Sequence, residues 1–243
     1  MPTRQSPFAW LTAVALALAV GACGPRDAAS SSNIAPPPRS SSSAQAVHAA
    51  PAAGPRIVFL GDSLTAGLGL PQRDAYPSLI QQKLAADGSA YQVVNAGVSG
   101  DTSADGLARL DWALDGDVRV LIVALGGNDG LRGLPVEQLR DNLAQIIERA
   151  QARNIRVILA GMEAPPNYGR DYIVSFHKIY PALAAKYHVT LLPFLLQNVA
   201  GIESLNQHDG IHPTAAGARI VADNVWAVLK PVAESAGGGR SGS

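Results

Sequence analysis

Cysteine is nearly missing from this chain, with one, Cys23, in 243 residues. That count excludes an internal disulfide framework and any cysteine-rich zinc site. Charge of one sign is missing as well. The 19 basic and 19 acidic side chains cancel, so no basic excess points to nucleic acid. Aromatics are scarce at 5%, and no internal repeat is visible. The uncharged apolar run Phe8–Val20 has 13 residues, short of the roughly 20 that cross a bilayer core. What is present is a 47% hydrophobic fraction with 24 Gly and 17 Pro. That is enough for about one packed domain rich in turns.

The ends are not domain. Arg4 followed by Phe8–Val20 reads as the charged and apolar parts of a secretory signal, placing residues 1–23 outside the fold. The run closes on Val20-Gly21-Ala22-Cys23. Small residues ahead of a cysteine resemble a bacterial lipobox, so Cys23 is the expected lipidation site and a membrane the expected partner. An ordinary signal peptide with an incidental cysteine is the plain alternative. Gly24 offers no aspartate retention signal, which in a Gram-negative source favours the outer membrane. Residues 24–55 are Ser-, Ala- and Pro-rich and read as a disordered tether. Residues 236–243 read as a polar, glycine-rich tail. The working domain is 56–235, and from residue 56 onward 16 basic face 18 acidic side chains.

Within it, short continuously apolar runs alternate with helical spacings. Strands are expected at Arg56–Leu60, Tyr91–Asn95, Val118–Leu125, Ile155–Ala160 and Val189–Leu192. Helices are expected at Tyr76–Ala86, Ser103–Trp112, Pro135–Arg153, Asp171–Tyr187 (broken or bent at Pro181) and Pro213–Leu229. Such alternation implies a five-stranded parallel sheet covered on both faces, a three-layer α/β/α domain of flavodoxin-like kind. Ligands of such sheets bind beyond the carboxyl ends of the strands, so functional residues should follow the strands directly.

They do. Gly61-Asp62-Ser63-Leu64 follows the first strand, Asn95-Ala96-Gly97-Val98-Ser99-Gly100-Asp101 the second, and Gly126-Gly127-Asn128-Asp129 the third; Asp209-Gly210-Ile211-His212-Pro213 comes near the end. Each block has a bland reading. Ser63 could be a helix cap, Gly-Gly-Asn-Asp a turn, and Asp209 a cap for the last helix. Taken together and in this order, the four blocks resemble those of the SGNH (GDSL) hydrolase superfamily. Gly130-Leu131-Arg132-Gly133 and Pro166-Asn167-Tyr168-Gly169 resemble its bacterial arylesterase and thioesterase I/lysophospholipase L1 branch.

The resemblance implies roles. Ser63 is the nucleophile, His212 its base and Asp209 the carboxylate that orients the base. The Ser63 and Gly100 N–H groups and the Asn128 amide form the oxyanion hole. His208, adjacent in sequence, is set aside only by family position, and Gly97 is the competing glycine of its loop. Leu131, Arg132, Pro166 and Tyr168 are expected to line the acyl site. Asp62, Asp101 and Asp129 invite a divalent-cation reading, but no paired histidine ligands accompany them and the family implies no metal and no cofactor. The expectation is a monomeric serine esterase of short to medium acyl esters, with lysophospholipids or thioesters as further substrates. Its alternatives are a carbohydrate O-acetyl esterase and a lipid-binding lipoprotein without chemistry. Hydrolysis should rise across neutral pH as its histidine base loses a proton.

Overall fold

The computed structural model describes residues 54–237. The signal segment, Cys23, nearly all of the tether and the end of the tail lie outside the described residues. Five strands, β1 (Arg56–Gly61), β2 (Gln92–Gly97), β3 (Val118–Ala124), β4 (Arg156–Ala160) and β5 (Thr190–Leu192), form one sheet in the order β2-β1-β3-β4-β5. Every pairing is parallel. This is the flavodoxin-like doubly wound order, with its ligand crevice between β1 and β3. Past the arginines near their starts (Arg56, Arg119 and Arg156), the central strands are apolar because both faces are covered. Ile57 to Leu60 and Val120 to Ala124 have no exposed surface at all.

Among the described residues there are eight α-helices: α1 (Ser63–Ala66), α2 (Tyr76–Ala86), α3 (Ser103–Ala108), α4 (Leu110–Ala113), α5 (Gly127–Leu131), α6 (Val136–Gln151), α7 (Arg170–Tyr187) and α8 (Ala215–Gly237). α2 packs on α8, and α6 on α3 and α7. The 3.6-residue period is plain in α6, whose Leu139, Leu143, Ile146, Ile147 and Ala150 are buried while the polar face meets water. Among the described residues no helix is long and apolar enough to cross a membrane.

Four differences from the expected elements have physical reasons. The single helix expected over Ser103–Trp112 is two, α3 and α4, because Arg109 leaves helical geometry (φ −103°, ψ 9°). Its guanidinium turns to the Asp101 carboxylate (2.6 Å) and the Gly61 carbonyl (2.9 Å). α8 runs through Pro231 to Gly237, past the Leu229 expected as its end. The apolar stripe carries on at four-residue spacing through Val225, Leu229 and Ala233, and that burial outweighs one missing backbone bond. α7 likewise continues through Pro181. The short helices α1 and α5, unforeseen, lie on the functional loops.

The register places those loops side by side. Gly61 of β1 pairs with Gly97 of β2 and with Ala124 of β3. Three of the four blocks therefore leave the sheet at the same height, on adjacent strands.

Candidate active site

β1 ends in Gly61, and the chain turns at once into α1, whose first residue is Ser63. Asp62 caps this turn, its Oδ1 accepting from the Leu64 N–H at 3.0 Å. Ser63 is thereby held half-buried at the sheet's carboxyl edge. From the other end of the chain, His212 Nε2 comes to 2.8 Å from Ser63 Oγ. Its Nδ1 lies 2.7 Å from Asp209 Oδ2. The second Asp209 oxygen accepts from the Ile211 and His212 N–H groups (2.9 and 3.0 Å). The N–H of His212, that of Ile211 and then the imidazole hold the Asp209 carboxyl down at about 2. So this acid, though half-exposed, is charged at every working pH.

His208 does not join them. It is exposed on the outer side of the loop, beside Ile202, Glu203 and Thr214, in an open cleft of about 720 Å³.

Two backbone donors on these loops are without a taker. Neither the Ser63 N–H nor the Gly100 N–H makes a backbone hydrogen bond among the described residues. Gly100 is the third residue of a turn closed by Asp101 N–H to Val98 O at 3.2 Å. Its φ of +89° is open to glycine at no steric cost. Asn128 stands on α5; its amide donates to the Asp101 carbonyl at 2.9 Å and lies 3.4 Å from Asp62 Oδ2. Gly97 ends β2 instead.

The three rim aspartates are each committed to the protein. Asp101 takes Arg109, Asp62 takes Leu64 N–H, and Asp129 accepts from the Ser103 N–H (2.8 Å) and hydroxyl (2.5 Å). Among the described residues no group of three His, Cys, Asp or Glu is arranged to hold a metal. Asp62 is almost wholly buried, and that burial pushes its carboxyl up to about 6.

Of the expected acyl-site residues, Leu131, Arg132 and Tyr168 come together. Tyr168 donates its hydroxyl to the Leu131 carbonyl (2.7 Å), and Arg132 donates to the Gly100 carbonyl (2.8 Å). Pro166 is exposed, at the start of the turn that carries Tyr168. A small apolar slot lined by Leu64, Leu68, Leu70 and Leu196 opens beside Ser63 and His212.

Two supports were not foreseen. Gln207 donates to the carbonyls of Leu68 (2.8 Å) and Pro213 (3.0 Å), tying the histidine loop to the serine loop; one glutamine in a loop gives no sequence signal. The other is an aromatic ladder, Tyr168, Tyr172, Phe176 and Tyr180, with successive ring centroids 5.3, 6.1 and 5.9 Å apart. Every rung touches segment 125–134, which carries Asn128. Tyr172 donates to Leu134 O (2.9 Å), Phe176 lies against Gly130, and Tyr180 donates to Leu125 O (3.0 Å). Its four-residue spacing was readable.

A parallel sheet with a Ser–His–Asp row along its carboxyl edge defines a class, the serine-type hydrolases. Comparison with known proteins narrows it. The model of the GDSL-like lipase/acylhydrolase family matches residues 59–220, and the chain belongs to that family. It is similar to esterase TesA of Pseudomonas aeruginosa, 46% identical over 182 residues, 74% of this chain and 90% of the relative. It is also similar to thioesterase 1/protease 1/lysophospholipase L1 of Escherichia coli K12, 41% identical over 74% of this chain and 86% of the relative. A crystal structure of TesA superimposes with a TM-score of 0.70 at 45% identity, covering 73% of this chain and 99% of its own.

Proposed function

We propose that the chain is a serine esterase acting on carboxylic esters, and on thioesters of similar acyl groups, through an acyl-enzyme. The observation that supports this most directly is the row Asp209–His212–Ser63 at 2.7 and 2.8 Å, beside two unengaged N–H donors. Ser63 Oγ attacks the acyl carbon while its proton passes to His212 Nε2. The carbonyl oxygen, now an anion, is held by the Ser63 and Gly100 N–H groups and the Asn128 amide. Collapse expels the alcohol or thiol, which takes the proton from His212. Water, activated by the same imidazole, then frees the acid. Asp209 keeps the imidazole in the needed tautomer and stabilises its charged form.

The rim supports acyl chains over sugars. Of the eight large apolar side chains exposed among the described residues, six (Leu68, Val98, Leu131, Tyr168, Ile202 and Ile211) follow the carboxyl ends of strands or sit on the histidine loop. Apolar surface of that kind gains from burying hydrocarbon. The names of the relatives, esterase and thioesterase/lysophospholipase, point the same way.

The test is a ladder of p-nitrophenyl esters and matched thioesters run with wild type and Ser63→Ala. Hydrolysis by wild type, best at four to eight carbons and lost in the folded variant, is expected. Wild-type turnover in Ser63→Ala discards the mechanism, and a preference for acetylated sugars replaces the substrate class.

Export and lipid anchoring through Cys23 are part of the same reading, supported by Arg4, Phe8–Val20 and the Val-Gly-Ala-Cys sequence. Incorporation of labelled palmitate that disappears in Cys23→Ser is the expected result. An unlabelled, freely released wild type would remove the anchor.

A further inference from the structure

The oxyanion donors sit on three segments, after β1, β2 and β3, that do not pair as strands beyond the sheet, and something must fix them against one another. Around α5, three side chains reach across. Asn128 donates to the Asp101 carbonyl, Asp129 accepts from the Ser103 N–H and hydroxyl, and Arg132 donates to the Gly100 carbonyl at 2.8 Å. The first two contacts are buried or partly so; the third is exposed. Asn128 and Asp129 hold the chain downstream of Gly100. Arg132 alone among these grips the glycine itself.

That grip matters because of the backbone there. A glycine at φ +89° has no side chain to restrict it. An alanine-sized group at position 100 would meet nothing nearer than Arg132 Nη2, at 3.9 Å. The space beside its Cα is therefore open, and its Gly100 N–H has no backbone partner among the described residues.

We infer that Arg132 is a positioning residue for the esterase reaction, holding the Gly100 N–H in line with the oxyanion by its hydrogen bond to the Gly100 carbonyl. This rests on the reading of Ser63 and Gly100 above. It also reassigns Arg132, expected from sequence to line the acyl site. A neutral ester carbonyl asks little of a donor, whereas the tetrahedral anion asks much. Loosening the donor should thus lower turnover and leave ground-state binding nearly as it was.

The experiment compares wild type, Arg132→Met and Arg132→Lys on p-nitrophenyl acetate, which is neutral and has no headgroup for an arginine to bind. Wild type and Ser63→Ala are first treated with a p-nitrophenyl phosphonate. Stoichiometric labelling of wild type alone establishes the nucleophile independently of Arg132. Arg132→Met is then expected to lose roughly tenfold in kcat, short of the 10²–10³ lost with a donor itself. KM should stay within about twofold, Tm unchanged, and phosphonylation slowed by the same factor. Arg132→Lys, which keeps a charged donor, should recover most of the loss. Turnover of Arg132→Met within twofold of wild type overturns the proposal. So does a loss confined to KM, which would make Arg132 a substrate contact, or a loss that Lys does not repair. Should Arg132→Met fold poorly, Arg132→Ala at matched Tm, which likewise leaves no donor, reads the same kcat.

Discussion

The hydroxyl of Tyr180 donates to the carbonyl of Leu125 at 3.0 Å, at the foot of the segment that carries Asn128. Tyr180 is 1% exposed, so the carbonyl has no water to turn to if the hydroxyl is removed. Tyr180→Phe should cost about 1–3 kcal/mol of stability by urea unfolding. A Cβ on Gly126, whose φ is +112°, would stand 2.1 Å from that same hydroxyl. Gly126→Ala should therefore be severely destabilising, and less so in the Y180F background, which removes part of the clash. Equal costs in both backgrounds would deny the contact.

Asn128→Ala removes an amide from the oxyanion hole and its bond to the Asp101 carbonyl. kcat should fall by about 10²–10³ with KM little changed. Steady-state kinetics on a p-nitrophenyl ester check this; a rise in KM alone would move Asn128 from transition-state stabiliser to ground-state binder.

Asp209→Asn keeps an oxygen for the Ile211 and His212 N–H groups but presents an amide to the imidazole. Loop geometry should survive while kcat drops by on the order of 10²–10⁴. The folded Asp209 carboxyl is held down at about 2. Its stabilising contribution is present above the ordinary carboxylate value of 3.8 and is lost as pH falls through about 2. Any change of rate between about pH 5 and 8 therefore belongs to another group. A stability profile of Asp209→Asn matching wild type at pH 7 would contradict the assignment.

Asp62 has the opposite sign. Its folded carboxyl is raised from 3.8 to about 6 by burial. The folded state is favoured by its protonation below 3.8, and that advantage disappears as pH rises through about 6. At neutral pH the buried charge costs up to about 3 kcal/mol. Asp62→Asn keeps an acceptor for Leu64 N–H, so it should raise Tm at pH 7 to 8 and make little difference near pH 4. A uniform shift at both pH values would locate the effect outside ionisation.

Much of this molecule was legible before its coordinates. The five strands read as short apolar runs because a sheet covered on both faces has no polar side to display. Ser63, Gly100, Asn128, Asp209 and His212 fell just past strands or in the last loop, and their family resemblance named them. The choice of His212 over His208 rested on that resemblance, since spacing alone does not say which ring turns inward. Other features were out of reach for identifiable reasons. α1 and α5 are four and five residues long, too short for any periodicity. The break at Arg109 follows from its side-chain partners, Asp101 just ahead of α3 and Gly61 at the end of β1, and neither bond shows in helical spacing. The bond from Arg132 to the Gly100 carbonyl was not legible, because sequence shows a charge near the site but not which carbonyl it reaches. The α8 extension was missed because Pro231 reads as a stop, although the apolar stripe beyond it does not stop.

The first strand starts at Arg56 and delivers the nucleophile seven residues later, so the polypeptide enters at one pole and reacts at the other. Six strand residues at ~3.3 Å each separate the two by about 20 Å. A support resin, fluorophore or fusion partner coupled at Gly54 itself would attach at the pole away from the mouth.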